Sequence, residues 1–145
     1  MDMIDITSFF RYGSLCGLKV NDPRNQIPVM FPGITFEEVR RKKLLLQRCK
    51  TESSDIEFYS EAGIIRSIMV KWGLGESYIL SDGHNQYVLK EDINIYHFIE
   101  MIEGLEIKWE ISQERSYSCW LCIKLESGVW CYFDLSSGEL VKIGI

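Results

Sequence analysis

The side chains with the most chemical potential in this sequence are five cysteines, two histidines and 21 carboxylates. Cys119 and Cys122 have the Cys-x-x-Cys spacing, with Cys131 the next thiol along the chain. A redox pair of this spacing works at a helix N-terminus, which lowers the thiol pKa, and a structural zinc site needs four ligands in close sets. Here the pair falls in an alternating apolar stretch, so its side chains are expected on opposite faces of a strand. No second pair and no downstream histidine completes a zinc set. With Cys16 and Cys49 the thiols are odd in number, and they read as free thiols, packed where they lie in apolar strand patterns. His84 lies in a polar turn and His97 on a predicted helix, neither with a carboxylate at zinc-ligand spacing. There is no Gly-x-Ser-x-Gly elbow, and Gly73-Leu74-Gly75 lacks the third glycine and following helix of a phosphate loop. No catalytic residue, metal or cofactor is implied, and the chain reads as a non-enzyme.

What remains is charge and aromatic surface. The acidic residues Asp82, Glu91, Asp92, Glu100, Glu103, Glu106 and Glu110, with Glu114 beyond them, could steer and hold a basic protein. Trp72, Trp120, Trp130 and Tyr132 are candidate anchors, because buried aromatic side chains carry much of the energy of protein interfaces. The run Arg40-Arg41-Lys42-Lys43, with Arg48 and Lys50, reads as a solvated helix face. A net charge of -5 and a pI of about 5.1 argue against direct nucleic-acid binding, which needs lysines and arginines set against phosphates.

The elements that must position these residues follow from periodicity and turn chemistry. Ile4 to Tyr12 reads as a short helix or amphipathic lead-in broken at Gly13, and Leu15 to Val20 as a short strand. Asn21 to Asn25 marks a loop that ends at Phe31-Pro32-Gly33. Thr35 and Glu38 have the spacing of a capping box, which predicts a helix from Phe36 that stops between Lys43 and Arg48. Glu37-Glu38 and Glu91-Asp92 would then sit at helix starts, where the macrodipole favours negative charge. Asp55 to Tyr59 and Ile64 to Trp72 flank a glycine-bearing turn and predict a β-hairpin; Glu76 to Ser81 and Gln86 to Leu89 are two more strands. Ile95, Phe98, Ile99 and Ile102 trace one face of a helix begun near Asp92 and closed at Gly104. Ile107, Trp109 and Ile111 alternate with charged residues, the mark of a strand with one wet face. Tyr117 to Leu125, Val129 to Leu135 and Glu139 to Ile143 form an antiparallel meander through two glycine turns.

The expected fold is α+β, a mainly antiparallel sheet of hairpin and C-terminal meander packed with two or three helices, in one domain over residues 1–145. That length supports a real core. No apolar run approaches the ~20 residues of a membrane helix, and the acidic start Met1-Asp2-Met3-Ile4-Asp5 lacks the features of a secretory signal. The expected compartment is therefore the cytoplasm.

Phe31 to Val39, then Asp55 to Tyr59 with Gly63 to Ile68, then Gly128-Val129 to Phe133-Asp134, together resemble small bacterial α+β proteins encoded beside polymorphic or contact-dependent toxins, which act as immunity proteins. The resemblance implies a cytoplasmic protein that binds the C-terminal domain of a cognate toxin, often a nuclease, and occludes its active or substrate-docking surface. It carries over no catalytic residues. Because a nuclease presents basic groups to phosphate, an acidic inhibitor would complement it. Arg40 to Lys43 and Leu44 to Leu46 have no counterpart in that pattern. Two other readings stand beside it: a small-ligand-binding domain or enzyme whose site is assembled from scattered strand residues, and a homo-oligomeric adaptor using strand edges or aromatic faces.

Overall fold

The computed structural model describes residues 3–73 and 75–145; Met1 and Asp2 of the acidic start and the central Leu74 of Gly73-Leu74-Gly75 lie outside the described residues. The chain runs through β1 (Ile4–Asp5), α1 (Thr7–Tyr12), a 3-10 turn (Arg24–Gln26), α2 (Ile27–Met30), β2 (Glu37–Arg41), β3 (Leu44–Lys50), β4 (Asp55–Glu61) and β5 (Ile64–Lys71). It continues through β6 (Tyr78–Ser81), β7 (Gln86–Leu89), α3 (Ile95–Gly104), β8 (Trp109–Ile111), β9 (Trp120–Leu125), β10 (Trp130–Asp134) and β11 (Leu140–Gly144). Among the described residues the strands form an eight-stranded antiparallel sheet, ordered β2-β3-β4-β5-β11-β10-β9-β8, and a small sheet ordered β1-β6-β7.

The hairpin of β4 and β5 and the meander of β9, β10 and β11 match the sequence reading, and β11 joins the two by pairing with β5. Ala62 and Gly63 both take positive φ at the hairpin tip, the geometry that lets a short turn follow the strand twist. β6 and β7 also form, but outside the meander: they pair with each other, and β6 takes β1 as a parallel neighbour.

The largest departure is the helix expected from Phe36, which is a hairpin of β2 and β3 instead. Along β3 the side chains alternate, with Leu45, Gln47 and Cys49 buried and Leu46 and Arg48 half-buried, a period of two that a helix would break. Packing of Phe36 against Phe31 and Phe58, at ring distances of 5.8 and 6.2 Å, outweighs the local capping signal. Glu37 and Glu38 are therefore strand residues rather than helix caps, and the basic run lies on β2 and its turn, with Lys42 at positive φ.

Smaller corrections follow the same logic. Leu15 to Val20 is a turn closed by reciprocal backbone bonds between Leu15 and Leu18, with Cys16 and Gly17 at positive φ. The loop before Phe31 contains the 3-10 turn and α2. α3 starts after Asn94, whose side chain accepts from the His97 backbone N–H, so Glu91 and Asp92 precede the cap and its first turn carries no acidic residue. Tyr117 to Cys119 form a turn before β9, leaving Cys119 exposed and outside the strand. On β8, Ile111 stands opposite Ile123 on the inward side yet is exposed, because β8 is a short edge strand that ends there and nothing among the described residues covers it.

One hydrophobic cluster joins both sheets and the helices. Phe98 of α3 meets Phe133 at 5.0 Å and Phe10 of α1 at 5.9 Å, while Phe31 and Phe36 cover Phe58. Phe133 and Phe58 point to the same side of the large sheet, so the helical material packs on one side of it. Among the described residues no helix is long and apolar enough to cross a membrane.

Candidate functional site

The other side of the large sheet is open. Strand pairing sets one row across all eight strands: Glu37, Arg48, Glu57, Met69, Gly144, Trp130, Lys124 and Glu110. Because successive side chains on a strand alternate between faces, this row and its i±2 neighbours point away from the buried row of Cys49, Ile56, Val70, Ile143, Cys131 and Ile123. The open face divides into two halves with different chemistry.

On the β3, β4 and β5 half, carboxylates are buried and paired. Asp55 and Glu57 are 5% and 3% exposed, and Glu76, which reaches the same region, is 1% exposed. Arg48 binds Asp55 through two hydrogen bonds, from Nε at 2.9 Å and from one terminal nitrogen at 2.8 Å. Lys71 donates to Glu57, Tyr59 donates its hydroxyl to Glu57 at 2.6 Å, and Lys50 donates to Glu76 at 2.7 Å. Buried carboxylates need such partners, since desolvating an unpaired charge costs several kcal/mol. The bond to Asp55 holds the Arg48 guanidinium proton more tightly than usual, and the bond to Glu76 raises Lys50 likewise. Burial, aided by the bond to Glu57, pushes Tyr59 up to about 12. Beyond these groups Val39, Arg41, Leu44, Leu46 and Tyr59 line a shallow groove of about 290 Å³.

On the β9, β10 and β11 half the rings gather. Tyr132 lies edge-on to Trp120 at 6.3 Å and to Trp130 at 6.4 Å. The Arg115 guanidinium sits over the Trp130 ring at 3.5 Å, and the Lys142 ammonium over Tyr132 at 5.3 Å. Tyr117, 66% exposed, completes a recess of about 240 Å³ with Trp120, Tyr132 and Lys142. Ser116 fixes the loop that carries Arg115 and Tyr117, accepting from the Cys122 backbone N–H and donating to the Ser112 carbonyl. Among the described residues no carboxylate lies within salt-bridge distance of Arg115, Lys124 or Lys142.

The structure separates the residues the sequence grouped. Trp120, Trp130 and Tyr132 come together on the open face, half-buried, with Glu110 at its far edge. Trp72 does not join them: it is buried, packs against Tyr78 at 4.9 Å and donates its indole N–H to the Leu89 carbonyl. Glu100, Glu103 and Glu106 lie on or just after α3, on the helical side. Asp82 faces the same groove as Glu100, a cleft of about 400 Å³ lined also by Tyr87, Ile93, His97 and Met101. Asp82 accepts from the backbone N–H groups of Asn85 and His84, which lowers its pKa, so it closes a turn. Glu103 accepts from the Trp109 indole at 3.2 Å, and Glu91 and Asp92 lead into α3.

Cys122 and Cys131 adjoin on neighbouring strands but face opposite ways, and burial raises both thiols, as it does Cys49 and Cys16. Among the described residues no group of three or more His, Cys, Asp or Glu side chains is arranged to hold a metal ion.

Arg115, Tyr117 and Lys142 escaped the sequence reading, as did the pairing of Arg48, Asp55, Glu57 and Lys71. Their only local signal was the alternation of Trp130 and Tyr132 with Cys131 and Phe133, which implies aromatic residues on both faces of one strand. Compared with family models, with curated proteins and with solved structures, the chain matches none of them.

Proposed function

We propose that the chain is a protein-binding module of the immunity type, which neutralises a cognate toxin domain by seating it on the open face of the eight-stranded sheet. The observation that carries this reading is the aromatic group of Trp120, Trp130 and Tyr132, held edge-on by one another and half-exposed on a face that the helices leave bare. Rigid, partly desolvated aromatic rings are the groups that supply most energy at protein interfaces. The ion-paired half beside them gives a fixed surface whose charges are already neutralised, so a partner can cover it without stranding a buried charge. The resemblance to immunity proteins supplies the class of partner, the C-terminal domain of a secreted toxin encoded nearby.

Co-expression of the chain with that domain tests the reading. Protection of growth and co-purification of a stable complex are expected, and both are lost when Trp120 and Trp130 are changed to alanine. Growth arrest with no complex between the native chains would overturn it.

A further inference from the structure

The aromatic half of the open face differs in charge from the chain as a whole. The chain carries a net charge of -5, yet the recess of Tyr117, Trp120, Tyr132 and Lys142 contains an ammonium and no carboxylate among its lining residues. Arg115 and Lys124 stand nearby, also without a carboxylate partner among the described residues. Three carboxylates border the area. Asp134, opposite Trp120, accepts from both the Ser136 hydroxyl and backbone N–H, while Glu110 stands across from Lys124 on the edge strand and Glu126 lines a shallow pocket with both.

The ring faces decide what such a recess accepts. Three aromatic rings around a cavity would suit a cation, but two cations of the chain already occupy ring faces: Arg115 covers Trp130 and Lys142 lies over Tyr132. A further cation would meet like charge. Stacked nucleobases need free ring faces in succession, and those of Trp130 and Tyr132 are taken. A carboxylate meets neither obstacle. It can accept a charge-assisted hydrogen bond from Lys142 or Arg115 while the carbon chain beside it packs on Trp120 and Tyr117.

We infer that the recess of Tyr117, Trp120, Tyr132 and Lys142 docks an acidic side chain of the protein partner, with Arg115 as the flanking cation. This rests on the reading of the open face as a protein-binding surface and adds its charge preference: the partner presents an acidic patch to β9 and β10. The acidic residues around α3 lie on the other side of the sheet and take no part in this contact.

Three synthetic probes distinguish the cases by amide and indole NMR shifts on the full chain: a glutamate-rich peptide with one phenylalanine, the same peptide with lysine for glutamate, and an oligothymidylate. The acidic peptide is expected to shift Tyr117, Trp120, Trp130 and Tyr132. Its affinity should fall roughly tenfold in Lys142→Gln or Arg115→Gln and weaken with added salt. Neither variant removes a carboxylate partner from the fold, and unchanged amide spectra outside the recess would establish that they fold normally. The inference is overturned if the acidic peptide leaves these residues unshifted, if the lysine peptide shifts them equally, or if the oligothymidylate binds more tightly. Self-association of the chain through these residues, seen by light scattering, would overturn it too, with a second copy as the occupant. A toxin complex lost in Trp120→Ala but unaffected by Lys142→Gln, Arg115→Gln and salt would overturn the charge preference and leave the binding face intact.

Discussion

The two halves of the open face belong to one sheet and point to the same solvent, yet they handle charge in opposite ways. Around β4, three carboxylates are almost fully buried and each is held by a lysine or arginine whose own side chain reaches water. Around β10, the cations rest on aromatic rings and meet no carboxylate among the described residues. A buried carboxylate without a partner would be costly, so the first half has little freedom to vary. A half-exposed cation over a ring is hydrated and needs no partner, so the second half can offer its charge to another molecule. The first half fixes the shape of the sheet; the second is free to make contacts.

That contrast can be broken at several levels. The two halves share one core, so Phe58→Ala beneath the first and Phe133→Ala beneath the second should each cost about 4 kcal/mol. Each variant should still unfold in one denaturant transition; two separate transitions would mean that the halves are independent. Glu57→Gln removes the charge that holds Lys71 and Tyr59, and should cost about 2 kcal/mol of stability while leaving partner affinity nearly unchanged. Trp120→Ala should do the reverse, weakening the toxin complex by about 2 kcal/mol, roughly thirtyfold, as read by calorimetric titration. A large loss of stability in Trp120→Ala, or of binding in Glu57→Gln, would erase the division.

The smallest expected effect is in the pH dependence. Tyr59 ionises near 10.0 in an unfolded chain and near 12 in the fold, so the folded state binds its proton more tightly. Its contribution is complete below pH 10 and is lost as pH rises towards 12. Tyr59→Phe should therefore flatten the fall in stability over that window, measured as denaturation midpoint against pH.

Local pattern revealed most of the strands. The β4–β5 hairpin, the last three strands and α3 were legible because their turns carry glycine and their apolar residues repeat at two or at three and four. The β2–β3 hairpin was not legible, because Thr35 and Glu38 satisfy a helix rule locally while the decision is made by Phe36 against Phe58, a contact between distant residues. The candidate face was hidden for the same reason. Trp120, Trp130 and Tyr132 were nameable as aromatic anchors, but their separation from Glu100, Glu103 and Glu106 depends on which side of β10 meets α3. Residue type names acidic residues and aromatic anchors without placing them, and the register of the sheet sets Trp120, Trp130 and Tyr132 on the face opposite Glu100, Glu103 and Glu106.

The most direct test of the account is a pair of charge variants in co-expression with the toxin domain. Trp120→Glu places a carboxylate in the aromatic recess, while Glu100→Lys with Glu103→Lys reverses charge on the helical side. Trp120→Glu is expected to abolish protection and the complex while the α3 variant retains both. Protection lost in the α3 variant and kept in Trp120→Glu would contradict it and move the binding surface to the helical side.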